Sequence, residues 1–168
     1  MNQTTSKKIR ILAVAPSARG FGYCAMEGQA MLEWGYKGVE GDKNVHSFAK
    51  IEKLMKQFLP GVLVLPDVNA KGCRRAPRIK ALHREIIKLA ATQKCKVALI
   101  SGKSLRNSLL GNAKGTKHEM AEMLAQRFPD LAAKLPPKRR AWESEDGRMD
   151  IFDAVGLATV FWMLIKPV

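Results

Sequence analysis

The hydrophobic positions change period several times along the chain, and each change marks an element. Ile9 to Ala15 is an apolar run that reads as a β-strand. Phe21 to Gly28 and Ala30 to Tyr36 follow as two more, joined by tight turns. Glycines 20, 22, 28 and 35 punctuate this region, as expected of an antiparallel meander. From Asn44 to Phe58 the period becomes helical: Phe48, Ile51, Leu54, Met55 and Phe58 share a stripe, and lysines 50, 53 and 56 lie opposite. Pro60-Gly61 stops that helix. Val62 to Leu65 is continuously apolar, the pattern of a central strand covered on both faces.

Asp67 to Ala76 is a polar, basic loop. Pro77 suits the first turn of a helix running to about Ala91, with Ile79, Leu82, Ile86 and Leu89/Ala90 as its buried stripe. Val97 to Ile100 forms a fifth strand, and Gly111 to Thr116 a loop. Lys117 to Phe128 reads as a helix, Pro129 to Arg140 as irregular, and Gly147 to Ile165 as a final buried helix. Three strands, a helix, then strand–helix–strand predict an α/β fold: a mixed five-stranded sheet, three antiparallel strands then two parallel, flanked by helices. No internal repeat or dividing linker interrupts residues 1–168, so a single domain is expected, and 168 residues suffice for a sizeable core.

Composition narrows the function. The net charge is +14, and its distribution is lopsided. Between Lys71 and Lys117 stand thirteen Lys/Arg and one acid, Glu85. Such a block repels itself unless a polyanion neutralises it, which points to nucleic acid. No basic amphipathic helix with an aromatic insertion face argues for a membrane surface, and Ala154 to Ile165 is too short to span a bilayer. The polar segment from Met1 to Lys8 does not read as a secretory signal. Cys24, Cys73 and Cys95 have no CxxC spacing and His46, His83 and His118 no ligand spacing, so reduced thiols, no zinc and a cytoplasmic, nucleoid-associated location are expected.

The chemistry lies in the acids. Asp150 and Asp153 open the last helix three residues apart. Acids in a first helical turn complement the helix dipole, but Asp153 falls within an apolar stripe of Met149, Phe152, Gly156 and Leu157, where an unpartnered carboxylate is costly. Ala15 closes the first strand, and Leu65-Pro66-Asp67 closes the fourth. If those strands are neighbours and the last helix crosses them, the three segments converge at strand carboxyl ends, where α/β sheets place their sites. Converging carboxylates usually hold hard cations, and two such cations about 4 Å apart can hydrolyse a phosphodiester.

Several motifs recur in a known order. They are Ile11-Leu12-Ala13-Val14-Ala15-Pro16 with Arg19-Gly20-Phe21-Gly22-Tyr23, Val62 to Asp67, and Lys71-Gly72-Cys73-Arg74-Arg75-Ala76-Pro77-Arg78-Ile79. Gly115-Thr116-Lys117-His118-Glu119 and Asp150-Ile151-Phe152-Asp153-Ala154 complete the set. Over nearly its full length the chain resembles the RuvC-like Holliday junction resolvases of the RNase H-like superfamily, small bacterial and phage-type relatives in particular. The resemblance implies four metal-binding acids, two Mg²⁺ or Mn²⁺ ions per site, and endonuclease action on branched DNA, the four-way junction, by a homodimer. The catalytic and metal positions would be Ala15, the end of strand four, Asp150 and Asp153. Ala15 replaces the first acid, which normally bridges both metals, and Pro66 stands at the second. Asp67 can substitute only if Pro66 ends the strand or forms a bulge, because adjacent strand residues face opposite sides. The chain as written is therefore expected to cleave poorly or not at all.

The basic segments match the DNA-facing surface that the resemblance implies. Lys71, Arg74, Arg75 and Arg78 form one group, Lys103, Arg106, Lys114 and Lys117 another, mostly as phosphate contacts. Val68-Asn69-Ala70 supplies no aromatic after strand four to stack at a junction centre. Two alternatives remain: a non-catalytic nucleic-acid-binding protein on the same fold, and an RNA-processing nuclease of the same superfamily.

Overall fold

In the computed structural model, which describes residues 8–165, one five-stranded sheet carries the chain, in the order β3-β2-β1-β4-β5. The polar opening segment therefore lies almost wholly outside the described residues. β1 (Arg10–Pro16), β2 (Gly20–Glu27) and β3 (Ala30–Gly38) form the antiparallel meander. α1 (Lys43–Phe58) leads to β4 (Val62–Pro66), which pairs parallel with β1. α2 (Pro77–Thr92) crosses to β5 (Lys96–Ile100), parallel to β4. Then come α3 (Gly102–Leu110), α4 (Lys117–Arg127), a 3-10 turn (Pro129–Lys134) and α5 (Met149–Leu164). The fold class read from the sequence is thus present. α3 and the 3-10 turn are additions.

Strand alternation divides the core into two layers. Leu12, Val14, Leu63 and Leu65 face α1 and α2. Ile11, Ala13, Ala15, Val64 and Ile100 face α3, α4 and α5. Because β1 and β4 are parallel neighbours, their carboxyl ends, Ala15 and Pro66, open into one cleft. α5 is apolar around most of its circumference and is buried from Met149 through Phe161, with Asp153 half-buried. Such a helix must lie within the core, and it packs across β2 and β1. At its start the Asp150 carbonyl occupies the space where a side chain on Gly22 would stand, so glycine there permits the close approach.

One buried group on the opposite layer makes stability depend on pH. His83 of α2 is 2% exposed, and neither ring nitrogen has a hydrogen-bond partner among the described residues. Burial, helped by the Arg75 charge, pushes its pKa down to about 4. The unfolded chain takes up this proton near pH 6.5 and the folded chain only near 4, so stability falls as pH drops through that window. By pH 4 the loss is expected to reach about 3 kcal/mol. Urea unfolding of the chain and of His83→Leu between pH 7.5 and 5 checks this; parallel pH dependences would exclude His83 as its source.

Candidate functional site

The start of α5 and the polypeptide just before it gather three carboxylates. Oxygens of Glu145, Asp150 and Asp153 lie within 4.8 Å of one another. Asp150 is 1% exposed, while the side chains of Asp153 and Glu145 retain 22% and 27%. Each acid already has a partner. The Ser17 hydroxyl donates to Asp150 Oδ2 at 2.5 Å, and an Arg19 Nη donates to Asp150 Oδ1 at 3.1 Å. Lys117 Nζ, at the start of α4, bridges Glu145 Oε1 at 3.1 Å and Asp153 Oδ2 at 3.2 Å. Arg19 also approaches Glu145 at 4.0 Å.

The sequence places these groups by local rules. The β1–β2 turn carries Ser17 and Arg19, and the Ser17 N–H donates to the Gly20 carbonyl to close it. Thr116 caps α4, its hydroxyl accepting from the Glu119 N–H, and so fixes Lys117 in the first turn. Three carboxylates facing two cations leave one negative charge in excess. Burial pushes the Asp150 and Asp153 pKa values up, against the opposing pull of Ser17 and Arg19 on Asp150 and of Lys117 on Asp153. Burial alone would lower Lys117, but Asp153 and Glu145 outweigh it and hold the ammonium protonated.

The trio includes one residue the sequence did not single out, Glu145, and omits one it did, Asp67. β4 ends at Pro66, as an inward Asp67 required. Yet Asp67 Oδ1 accepts the Asn69 N–H at 3.1 Å and closes a local turn at the cleft edge, apart from the trio. Ala15, 2% exposed, and Pro66 border the same cleft with no donor atom. Among the described residues, the trio of Glu145, Asp150 and Asp153 has the donor chemistry of a hard-cation site.

The cleft itself has a volume of about 700 Å³. Ala15, Pro66, Ile100 and Leu157 give it apolar lining, and Lys71, Arg74, Arg75, Lys103, Arg106 and Lys117 give it cationic walls. Three predicted phosphate contacts have structural duties as well. Arg75 donates to the Pro16 carbonyl, and Arg78 donates to the Ser17 carbonyl and to Asn44 Oδ1, so both brace the β1–β2 turn. Arg106 donates to the Gly115 carbonyl at 3.0 Å and ties α3 to the loop before α4. Lys71, Arg74, Lys103 and Lys114 are exposed and make no side-chain hydrogen bond among the described residues. No described helix is long and apolar enough to cross a membrane.

No protein-family model and no curated protein sequence matches the chain. Solved structures do. Thermus thermophilus RuvC superposes with a TM-score of 0.64 at 12% identity, covering 93% of this chain and 96% of that one. The same protein in complex with Holliday junction substrate gives 0.64 at 12% identity, over 90% and 92%. The yeast mitochondrial Holliday junction resolvase Ydc2 gives 0.62 at 16% identity, over 92% of this chain and 78% of that one. With its mixed sheet, its crossing C-terminal helix and the acids that open it, this chain has the fold of the RuvC and Ydc2 Holliday junction resolvases.

Proposed function

We propose that this chain is a structure-selective DNA-binding protein of the Holliday junction resolvase type, whose endonuclease site is impaired by Ala15 and Pro66. The observation that carries the reading is the cation-walled cleft at the carboxyl ends of β1 and β4, with Asp153 of the carboxylate trio on its lining. A duplex backbone laid along those walls would meet Lys71, Arg74 and Lys103 as phosphate contacts. A homodimer would offer two such clefts to a four-way junction. Glu145, Asp150 and Asp153 are the residues that would hold a divalent ion, Mg²⁺ or Mn²⁺, which when bound polarises a phosphodiester and activates water. In the chain as written Lys117 and Arg19 offset two of those three negative charges, and Ala15 holds only a methyl group where the bridging acid would stand. The second reading, a binding protein without catalysis, is favoured by that same pairing.

Fluorescence anisotropy with four-way, forked and linear DNA tests the proposal. The expected result is at least about tenfold tighter binding of the junction than of linear duplex, roughly 1.4 kcal/mol. Equal affinities would sink structure selectivity. Arg74→Ala and Lys103→Ala are each expected to weaken all substrates alike and to flatten the salt dependence by about one unit of slope. An unchanged slope would remove those residues from the interface.

A further inference from the structure

Between the 3-10 turn and α5, residues 135–148 run without helix or strand and carry Lys138, Arg139, Arg140 and then Trp142. The Trp142 side chain is 79% exposed, the most of any large hydrophobic residue described. Indoles usually gain by burial, and one left in water beside three consecutive cations is an unusual surface. The segment is locally ordered. The Glu143 N–H donates to the Arg140 carbonyl at 3.0 Å, and Arg139 Nη1 donates to the Glu143 carbonyl at 3.3 Å. That turn presents the indole at its tip, and the Arg140 guanidinium lies 5.6 Å from the ring centroid.

The same segment roofs a second cavity, of about 320 Å³, distinct from the large cleft. Lys138 and Arg139 bring cations to it on the strap side, Pro136 and Met149 bring apolar surface, and Glu145 and Asp146 line its other side with Lys117. An exposed aromatic platform beside a run of three cations suits one ligand chemistry: a polyanion with planar faces free to stack. Paired bases keep their faces inside the duplex, whereas an unpaired nucleotide offers them.

We propose that residues 136–142 form a strap for an unpaired DNA nucleotide, with its base stacked on Trp142 and its flanking phosphates on Lys138 and Arg139. The proposal rests on the DNA-binding reading above and adds a second contact surface outside the cleft. Its probes are a twelve-residue oligothymidylate, a blunt linear duplex and vesicles containing phosphatidylserine. Trp142→Ala is expected to weaken oligothymidylate binding about tenfold, within the range of one base–aromatic stack, and to leave linear duplex affinity within about twofold. Trp142→Phe should retain part of the affinity. Oligothymidylate should quench tryptophan emission, and Trp142→Ala should abolish that quenching although Trp34 and Trp162 remain.

Unchanged oligothymidylate binding by Trp142→Ala, with duplex binding normal, would overturn the strap alone. A chain that bound none of these DNAs would overturn the DNA reading and the strap together. An emission shift with the vesicles and none with oligothymidylate would assign the segment to anionic membrane and overturn the proposal.

Discussion

Ala15→Asp is expected to destabilise the chain in the presence of a chelator and to be rescued by Mn²⁺. The position is 2% exposed, so a new carboxylate there would be buried beside a trio already one charge in excess. An uncompensated buried carboxylate costs about 3 kcal/mol. A divalent ion present at a hundred times its Kd returns about 2.7 kcal/mol. The rescue is therefore measurable as a Mn²⁺-dependent shift in the urea midpoint, larger than that of the parent chain.

Cleavage should recover less readily than metal binding, because Pro66 also contributes no oxygen. Ala15→Asp alone is expected to cut four-way DNA weakly. Ala15→Asp with Pro66→Glu restores a donor on each parallel strand and is expected to raise the rate by at least about 10²-fold, the size of effect metal activation supplies. Failure of both variants to take up Mn²⁺ would show that the scaffold is no longer poised for metal chemistry. Metal uptake without cutting would favour the binding-protein reading.

Lys117→Met should have the second largest effect. Its ammonium separates Glu145 from Asp153, and removing it leaves their charges facing each other beside Asp150. Breaking a fully buried pair costs about 3–5 kcal/mol, but the Lys117 side chain is 42% exposed, and solvent screening brings the expectation to about 2 kcal/mol near pH 7.5. The sign with pH follows from the acids. Asp150 and Asp153 have folded-state pKa values above the usual carboxylate range, because they are buried. The folded chain therefore takes up their protons at a higher pH than the unfolded chain, and lowering the pH relieves the repulsion. The deficit of Lys117→Met should shrink between pH 7.5 and 5, and Lys117→Arg should retain most of the stability. A deficit constant across that range would mean that Lys117 acts through packing alone.

Most of the fold was legible in the sequence. The meander, the switch from strand to helical period at Asn44 and the continuous run of β4 each have an unambiguous pattern. α3 was not read because its apolar residues, Leu105, Leu109 and Leu110, are too few to set a period, and its start depends on the Ser101 cap accepting from the Ser104 N–H. Of the site, Asp150 and Asp153 were legible because they stand three residues apart at a helix start and Asp153 falls within an apolar stripe. Glu145 was not, since it stands in a polar segment among Glu143 and Asp146, with no period to distinguish it. Asp146 is also an acid of that segment, yet it pairs with exposed Arg148, and hydrogen bonds from that residue hold its pKa down to about 2.

Lys117 shows the same limit from the other side. Its place in a basic block suggests a phosphate contact, whereas its Thr116-capped helix start delivers it to two carboxylates from distant parts of the chain. By itself, then, the sequence determined most of the elements, their α/β order, the concentration of positive charge and the acid pair at Asp150 and Asp153, because local periodicity and residue identity fix those properties. Only the tertiary structure decided which acids meet and which cations hold them. Those pairings depend on the parallel β1–β4 register and the seat of α5 on Gly22, and ion pairs some thirty to one hundred and thirty residues apart leave no periodic trace in the chain.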